Sequence, residues 1–206
     1  GGVGALEHTG EAEPRSDGVE VLRVDHQRAR RGDLVPFEKL CQVDLVGAAD
    51  HRDRIVDDDH AFVRDHEAGT TERVSLDSSG AQGNALSTHP SIADAGRLVV
   101  LASNASNLVA GDTNGELDIF IRDRASGATE LVSVSTAGVQ GNSISEFSSI
   151  SADGRYVAFS SSATNLAPLD TNLRVDVFVR DRQLGLTTRV SRSSTGVQGN
   201  GHSNLP

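Results

Sequence analysis

The sequence predicts an all-β protein assembled from repeated four-stranded antiparallel units, and three observations carry that expectation. The chain repeats itself with a period of 58 residues, each repeat alternates short apolar runs with Gly-, Asn- and Asp-rich turns, and no segment within the repeat has helical spacing. The period is legible residue by residue: Phe62, Phe120 and Phe178; Arg64-Asp65, Arg122-Asp123 and Arg180-Asp181; Gly69, Gly127 and Gly185; Gly80, Gly138 and Gly196. Gln82-Gly83-Asn84, Gln140-Gly141-Asn142 and Gln198-Gly199-Asn200 follow the same spacing. Residues 62–119 align with 120–177 without a gap at 26 identical positions of 58, and 120–148 align with 178–206 at 15 of 29, which unrelated stretches do not reach.

The elements of one unit follow in order. Ser148-Ser149-Ile150-Ser151 is a short strand, and Ala152-Asp153-Gly154 is an Asp-Gly turn that suits the twist of a tight hairpin. Arg155-Tyr156-Val157-Ala158-Phe159-Ser160 is the returning strand. A long loop from Ser161 to Val175 precedes Asp176-Val177-Phe178-Val179-Arg180-Asp181, a third strand apolar on both faces. A turn at Gln183-Leu184-Gly185 then leads into Thr187-Thr188-Arg189-Val190-Ser191, where β-branched residues favour a fourth strand.

Such units, apolar on both sides, are best satisfied when they pack face to face around an axis, which is a β-propeller. Residues 62–206 amount to two and a half periods, whereas propellers close with about four to eight blades. The expectation is therefore a partial, open propeller of about two and a half blades (62–119, 120–177 and an incomplete 178–206), belonging to a longer polypeptide or to an incorrectly bounded reading frame, with further blades missing from this chain. In an up-and-down blade the second-to-third connection and the link to the next blade leave from the same edge. The long polar loops then share one face, and binding is expected there.

Composition sets the outer bounds. The 206 residues include 21 glycines and only 36% hydrophobic residues, as expected of short strands and many turns. A single cysteine, Cys41, excludes an intramolecular disulfide and any multi-cysteine metal site. The net charge of -10, from 19 basic and 29 acidic residues, argues against a nucleic-acid partner, and the one basic cluster is Arg28, Arg30 and Arg31. The longest apolar run, Leu98 to Ala102, is far too short to span a membrane as a helix.

Residues 1–60 stand apart, more acidic and matching the repeat at little beyond Lys39-Leu40 opposite Arg97-Leu98. They are left unassigned, with three readings open: a degenerate blade half at about 34–61, a poorly ordered leader, or text shifted out of frame upstream of His60.

The motif Ile150-Ser151-Ala152-Asp153-Gly154-Arg155-Tyr156-Val157-Ala158-Phe159, followed in phase by Asp176-Val177-Phe178-Val179-Arg180-Asp181, resembles the repeat of TolB-like (WD-repeat-like) β-propellers. In that family a Ser-Pro-Asp-Gly hairpin with a basic residue precedes an Asp-flanked apolar strand. The resemblance covers 62–206; it departs where Ala152 replaces the proline, where Ala93-Asp94-Ala95-Gly96-Arg97 displaces the aspartate by one, and in its longer period. It implies a non-catalytic binding or scaffolding module for a protein or polysaccharide, in the periplasm or outside the cell. The alternatives it implies are the propeller domain of a larger hydrolase or peptidase and, from the loops below, a calcium-stabilised surface protein.

Two constellations stand out as candidate sites. Asp112, Asn114, Glu116 and Asp118 place side-chain oxygens at alternate positions of one loop, a spacing that can wrap calcium. The next copy carries Leu173 and Arg174 instead of Gly115 and Glu116, so the metal reading applies to the first copy alone, against the plainer reading of side-chain-to-backbone turns. The amides Gln82, Asn84, Gln140, Asn142, Gln198 and Asn200 form a repeated set on the expected loop face, as ligand hydrogen-bonders or as ordinary turn residues. The repeated Arg-Asp pairs and phenylalanines read as scaffold.

No Gly-x-Ser-x-Gly elbow, His-Glu-x-x-His helix or phosphate loop is present, so no catalytic residue is assigned. The run Asp57-Asp58-Asp59 between His51 and His60 matches no metal-ligand spacing, and His66, His89 and His202 do not recur in the repeat.

Overall fold

The computed structural model describes residues 52–56, 60–65, 69–93, 96–204 and 206. The expectations for Cys41, His51, the Asp57-Asp58-Asp59 run, His66 and nearly all of residues 1–60 lie outside the described residues.

All regular structure among the described residues is strand. The strands are β1 (Arg52–Val56), β2 (Ala61–Asp65), β3 (Thr70–Arg73), β4 (Ser87–Ala93), β5 (Leu98–Ser103), β6 (Asp118–Asp123), β7 (Ala128–Leu131), β8 (Ser145–Ile150), β9 (Tyr156–Ser161), β10 (Asp176–Asp181) and β11 (Leu186–Arg189). They form three sheets with neighbours in chain order: β1-β2-β3, β4-β5-β6-β7 and β8-β9-β10-β11. Every pairing is antiparallel. The all-β class and the four-stranded antiparallel sheets expected from the repeat are both present.

Local chemistry explains the turns. Gly154 sits at a φ of 71° and donates its N–H to Ser151 O at 2.8 Å, while the Asp153 carboxylate accepts the Arg155 N–H at 3.1 Å. A side chain at Gly154 would also displace the end of Leu98 of the neighbouring sheet, but the positive φ is what favours glycine here.

The first strand of the last sheet departs from the sequence expectation. It begins at Ser145, three residues before Ser148, and its register shifts between Glu146 and Ser149, where Phe147 takes a φ of 51°. The equivalent bulge in β4 falls between Thr88 and Ser91, with His89 at a φ of 48°. A bulge interrupts the two-residue alternation by which strands are read, and it re-aims the side chain it carries. Here it brings the rings of His89 and Phe147 edge to face at 4.8 Å, joining the first strands of the two sheets.

The core lies between the sheets. On β5, Leu98, Val100 and Ala102 face one way and Val99 and Leu101 the other, as the pleat dictates. The first set joins Ile119, Ile121, Val157, Phe159 and Phe178; the second joins Phe120, Ala61, Val63 and Val74. Phe120, Phe159 and Phe178 are fully buried, and full burial of such a side chain contributes about 1.5–3 kcal/mol.

The repeated Arg-Asp pair divides into two roles, both structural. Asp123 and Asp181 bind arginines of the adjacent strand ends within their own sheets, Arg97 at 2.8 Å and Arg155 at 2.7 Å, and accept N–H groups of the following turns. Arg122 and Arg180 instead reach the preceding sheet. Each sheet is followed by a small hairpin, at 74–82, 132–140 and 190–198, pinned by the bridges Leu76 to Gln82, Val134 to Gln140 and Arg192 to Gln198. Arg122 Nη1 donates to Asp77 O of the first hairpin at 2.8 Å, to Gly127 O at 2.6 Å and to Thr129 Oγ1 at 3.1 Å. Arg180 Nη1 repeats this with Ser135 O at 3.3 Å, Gly185 O at 2.7 Å and Thr187 Oγ1 at 3.1 Å.

Candidate functional site

Antiparallel pairing in chain order sends β5–β6, β7–β8 and β9–β10 connections to one edge of the sheets, together with the segment after β11. That edge therefore carries the loops 104–117, 132–144, 162–175 and 190–204, and the β3–β4 link at 74–86, the equivalent of β7–β8, joins them. Buried serines anchor them: Ser87 and Ser103 share a hydrogen bond at 2.9 Å, as do Ser145 and Ser161, and Ser103 and Ser161 hydroxyls accept the N–H groups of Ala105 and Ala163, each at 3.0 Å.

The amide set lies on this edge, but five of its six members are engaged within the protein. Asn84 donates Nδ2 to Ser106 Oγ at 3.1 Å and accepts the Ser106 N–H at 3.0 Å. Asn142 makes the same pair of bonds with Thr164, at 3.0 and 2.9 Å. Gln82 accepts from Arg73 at 3.1 Å. Gln140 and Gln198 are turned into the neighbouring loops, and Asn200 is exposed with no side-chain partner among the described residues.

The structure brings Asp112, Asn114 and Asp118 together with Gln140. Gln140 Nε2 donates to Asp112 Oδ1 at 2.7 Å and to Asp118 Oδ2 at 2.8 Å, while its Oε1 accepts the Thr113 N–H at 3.2 Å. Asn114 Nδ2 donates to Asp118 at 2.8 Å and to Gly141 O at 2.9 Å, and its Oδ1 accepts the Glu116 N–H at 2.9 Å. The accepted backbone N–H groups fix both amides, so their NH2 groups, not their oxygens, face the carboxylates. Glu116 enters this network through its backbone. Among the described residues no group of three or more His, Cys, Asp or Glu is arranged to hold a metal ion. Burial pushes the Asp118 carboxyl up from its usual value, against the opposing effect of the Ser133, Gln140 and Asn114 hydrogen bonds.

The loop 162–175 repeats the frame with two changes of charge, Arg174 in place of Glu116 and Arg189 beside it in place of Leu131. Gln198 Nε2 donates to Asp170 at 2.8 Å and to Asp176 at 3.2 Å, and Arg189 lies 3.3 Å from Asp170. Leu131 occupies the position of Arg189 in the preceding sheet.

Two residues that the site reading missed dominate the exposed surface of that loop. Leu169 and Leu173 are 84% and 79% exposed, at φ of 59° and 54°. Their counterparts Gly111 and Gly115 adopt the same left-handed backbone at no steric penalty, whereas a leucine there is disfavoured by about 1–2 kcal/mol. The replacement of glycine by leucine at two equivalent repeat positions was the signal available in the sequence. Leu169 also lines a cavity of about 520 Å³ together with Pro168, Asp170 and Ser135, Thr136 and Ala137 of the second hairpin.

No family model and no curated protein sequence matches the chain. Among solved structures, it is similar to a TolB from Agrobacterium tumefaciens (16% identity, TM-score 0.42, covering 68% of this chain and 44% of that one). It is also similar to TolB from Acinetobacter baumannii (14%, 0.29, 71% and 42%) and to dipeptidyl peptidase 4 from Porphyromonas gingivalis (9%, 0.42, 68% and 24%). The chain spans less than half the length of each of these proteins, two of which bear the name of the family that the repeat motifs resemble.

Proposed function

We propose that this chain is a non-catalytic arc of propeller blades that binds a protein partner through its long-loop face, in the periplasm or outside the cell. The observation that carries the reading is the pair Leu169 and Leu173: two exposed leucines held in a backbone conformation that disfavours them, the first of them lining a cavity of about 520 Å³. Exposed apolar groups that also strain the backbone work against stability, which gives them a place in recognition. A protein partner is favoured over a polysaccharide, because leucine side chains offer no hydrogen bonds to sugar hydroxyls and the repeated amides on this edge other than Asn200 are already engaged. The hydrolase alternative concerns a catalytic domain outside this chain and predicts no dependence on these leucines.

The test is selection of a peptide display library and a glycan array against the intact chain and its Leu169→Gly/Leu173→Gly variant. The reading expects peptides whose binding falls at least about tenfold in the variant, with unchanged circular dichroism. Equal binding by both proteins, or selection of glycans alone, overturns it.

A further inference from the structure

The contacts that join successive sheets are built from two complementary halves, and one unjoined half of each kind remains on the described residues. The receiving half is an arginine and a threonine on the third and fourth strands of a sheet. The inserting half is the hairpin that follows a sheet, which offers two backbone carbonyls and a side-chain hydroxyl as acceptors.

Two joints of this kind are formed within the chain. In the first, Thr129 Oγ1 donates to Leu76 O at 2.6 Å, Thr129 N donates to Ser78 Oγ at 2.9 Å, and Arg122 donates to Asp77 O at 2.8 Å. In the second, Thr187 Oγ1 donates to Val134 O, Thr187 N to Thr136 Oγ1 at 3.0 Å, and Arg180 to Ser135 O at 3.3 Å. The residue types that matter recur at the period: arginine, threonine and a hydroxyl residue.

The first sheet carries a preset receiver. Arg64 Nη1 already donates to Thr71 Oγ1 at 2.9 Å, as Arg122 does to Thr129 and Arg180 to Thr187. Thr71 is exposed, whereas Thr129 and Thr187 are buried under their hairpins. The third hairpin is a preset inserting half. It is closed by Ser193 N to Val197 O at 2.8 Å and Gly196 N to Ser193 O at 2.9 Å, matching Ser135 to Val139 and Gly138 to Ser135 in the second. Arg192, Ser193 and Ser194, which correspond to Val134, Ser135 and Thr136, are exposed.

The apolar faces behind these halves correspond as well. The face of β6 that bears Phe120 packs toward the preceding sheet and the face that bears Ile119 and Ile121 toward the following one. On β2 the equivalent of the first face, with Phe62, is only half-buried; on β10 the equivalent of the second, with Val177 and Val179, is half-buried too. The two open faces are thus the two sides of an interface this chain already forms twice.

We propose that a second copy of this chain docks head to tail on the first, its 190–198 hairpin closing over Arg64 and Thr71 and its Val177/Val179 face covering Phe62. The occupant is a copy of this chain because the required inserting half, with a hydroxyl at Ser194 and carbonyls at Arg192 and Ser193, is present on the chain itself and already folded. The contact is heterologous, so each copy has one site of each kind and association can continue beyond a dimer.

Sedimentation equilibrium of the full chain tests this, together with Arg64→Ala in the receiver and Ser194→Arg, which sets a cation against Arg64. The unsubstituted chain is expected to self-associate with rising concentration, and each variant to associate at least about tenfold more weakly while keeping its circular dichroism. Mixing the two variants is the decisive arm: each retains the half the other has lost, so an equimolar mixture is expected to form a 1:1 dimer and nothing larger. A chain that stays monomeric at high concentration, as it would if a segment outside the described residues covered the first sheet, overturns the proposal. Association untouched by either substitution, or a mixture that remains monomeric, overturns it too.

Discussion

The β4–β7 and β8–β11 sheets are written in nearly the same residues and differ in what surrounds them. In β6, Asp118 to Arg122 are all buried; in β10, Asp176 and Phe178 are buried while Val177, Val179 and Arg180 are half-exposed. Val132, just after β7, is 2% exposed, whereas its counterpart Val190 is 46% exposed. The same strand text thus gives a doubly covered sheet in one place and a singly covered one in the other. A strand apolar on both faces states what it can bury, and its neighbours decide what it does bury.

The comparison can be broken most severely at its phenylalanines. Phe120→Ala is expected to destabilise the chain by about 3–5 kcal/mol in urea unfolding, because the cavity would open between two sheets. Val179→Ala, on the half-covered face of the last sheet, is expected to lose about 1 kcal/mol or less. Equal losses at the two positions would mean that the outer face is covered in solution.

The joints between sheets come next. Arg122→Met leaves the half-buried carbonyls of Asp77 and Gly127 without their charged donor, and a loss of about 1–3 kcal/mol is expected. Arg64→Met, measured at concentrations where the chain is monomeric, is expected to change stability by less than about 1 kcal/mol.

The loops sharpen the comparison at smaller scale. Exchanging Leu173 for glycine relieves a left-handed leucine and is expected to leave stability unchanged or raised by up to about 1 kcal/mol; Gly115→Leu in the other sheet is expected to lower it by about 1 kcal/mol. Thermal unfolding of the two variants checks both signs.

The Arg97–Asp123 pair supplies a pH-dependent effect. Hydrogen bonding to Arg97 holds the Asp123 carboxyl well below its ordinary value of 3.8. A depressed folded-state value means that the stabilisation is fully present above the unfolded value and is lost as the pH falls below it. Arg97 is 52% exposed, so the contribution is screened, and Arg97→Met is expected to lose less than about 1 kcal/mol near neutral pH and to converge with the parent chain in strong acid.

The smallest effect concerns calcium. With the NH2 groups of Gln140 and Asn114 turned toward Asp112 and Asp118, adding calcium or EDTA is expected to move the melting temperature by less than about 1 °C. A rise of several degrees that is lost in Asp112→Asn would support the metal reading of that loop.

The strands were legible because their signals are local. The Asp153-Gly154 turn, the apolar run at Asp176–Asp181 and the 58-residue period need no knowledge of distant residues, and all fall where the sheets lie. The start of β8 was not legible, because the Phe147 bulge breaks the alternation from which strand limits are read. Strand order places the amides on the loop edge, but their type could not tell whether ligand or protein would take their hydrogen bonds. Asn142 could be seen as a repeated amide; that Thr164 and Asn165 would engage it depends on two loops meeting 22 and 23 residues apart.

The sequence by itself determined the all-β class, the four-strand unit and the edge on which the loops emerge, since these follow from short-range pattern and antiparallel connection. Only the tertiary structure decided which faces are covered, that the repeated arginines join one sheet to the hairpin of the sheet before it, and that Leu169 and Leu173 stand in solvent. Burial and hydrogen-bond partnership belong to pairs of segments, and no single segment contains the information about its partner.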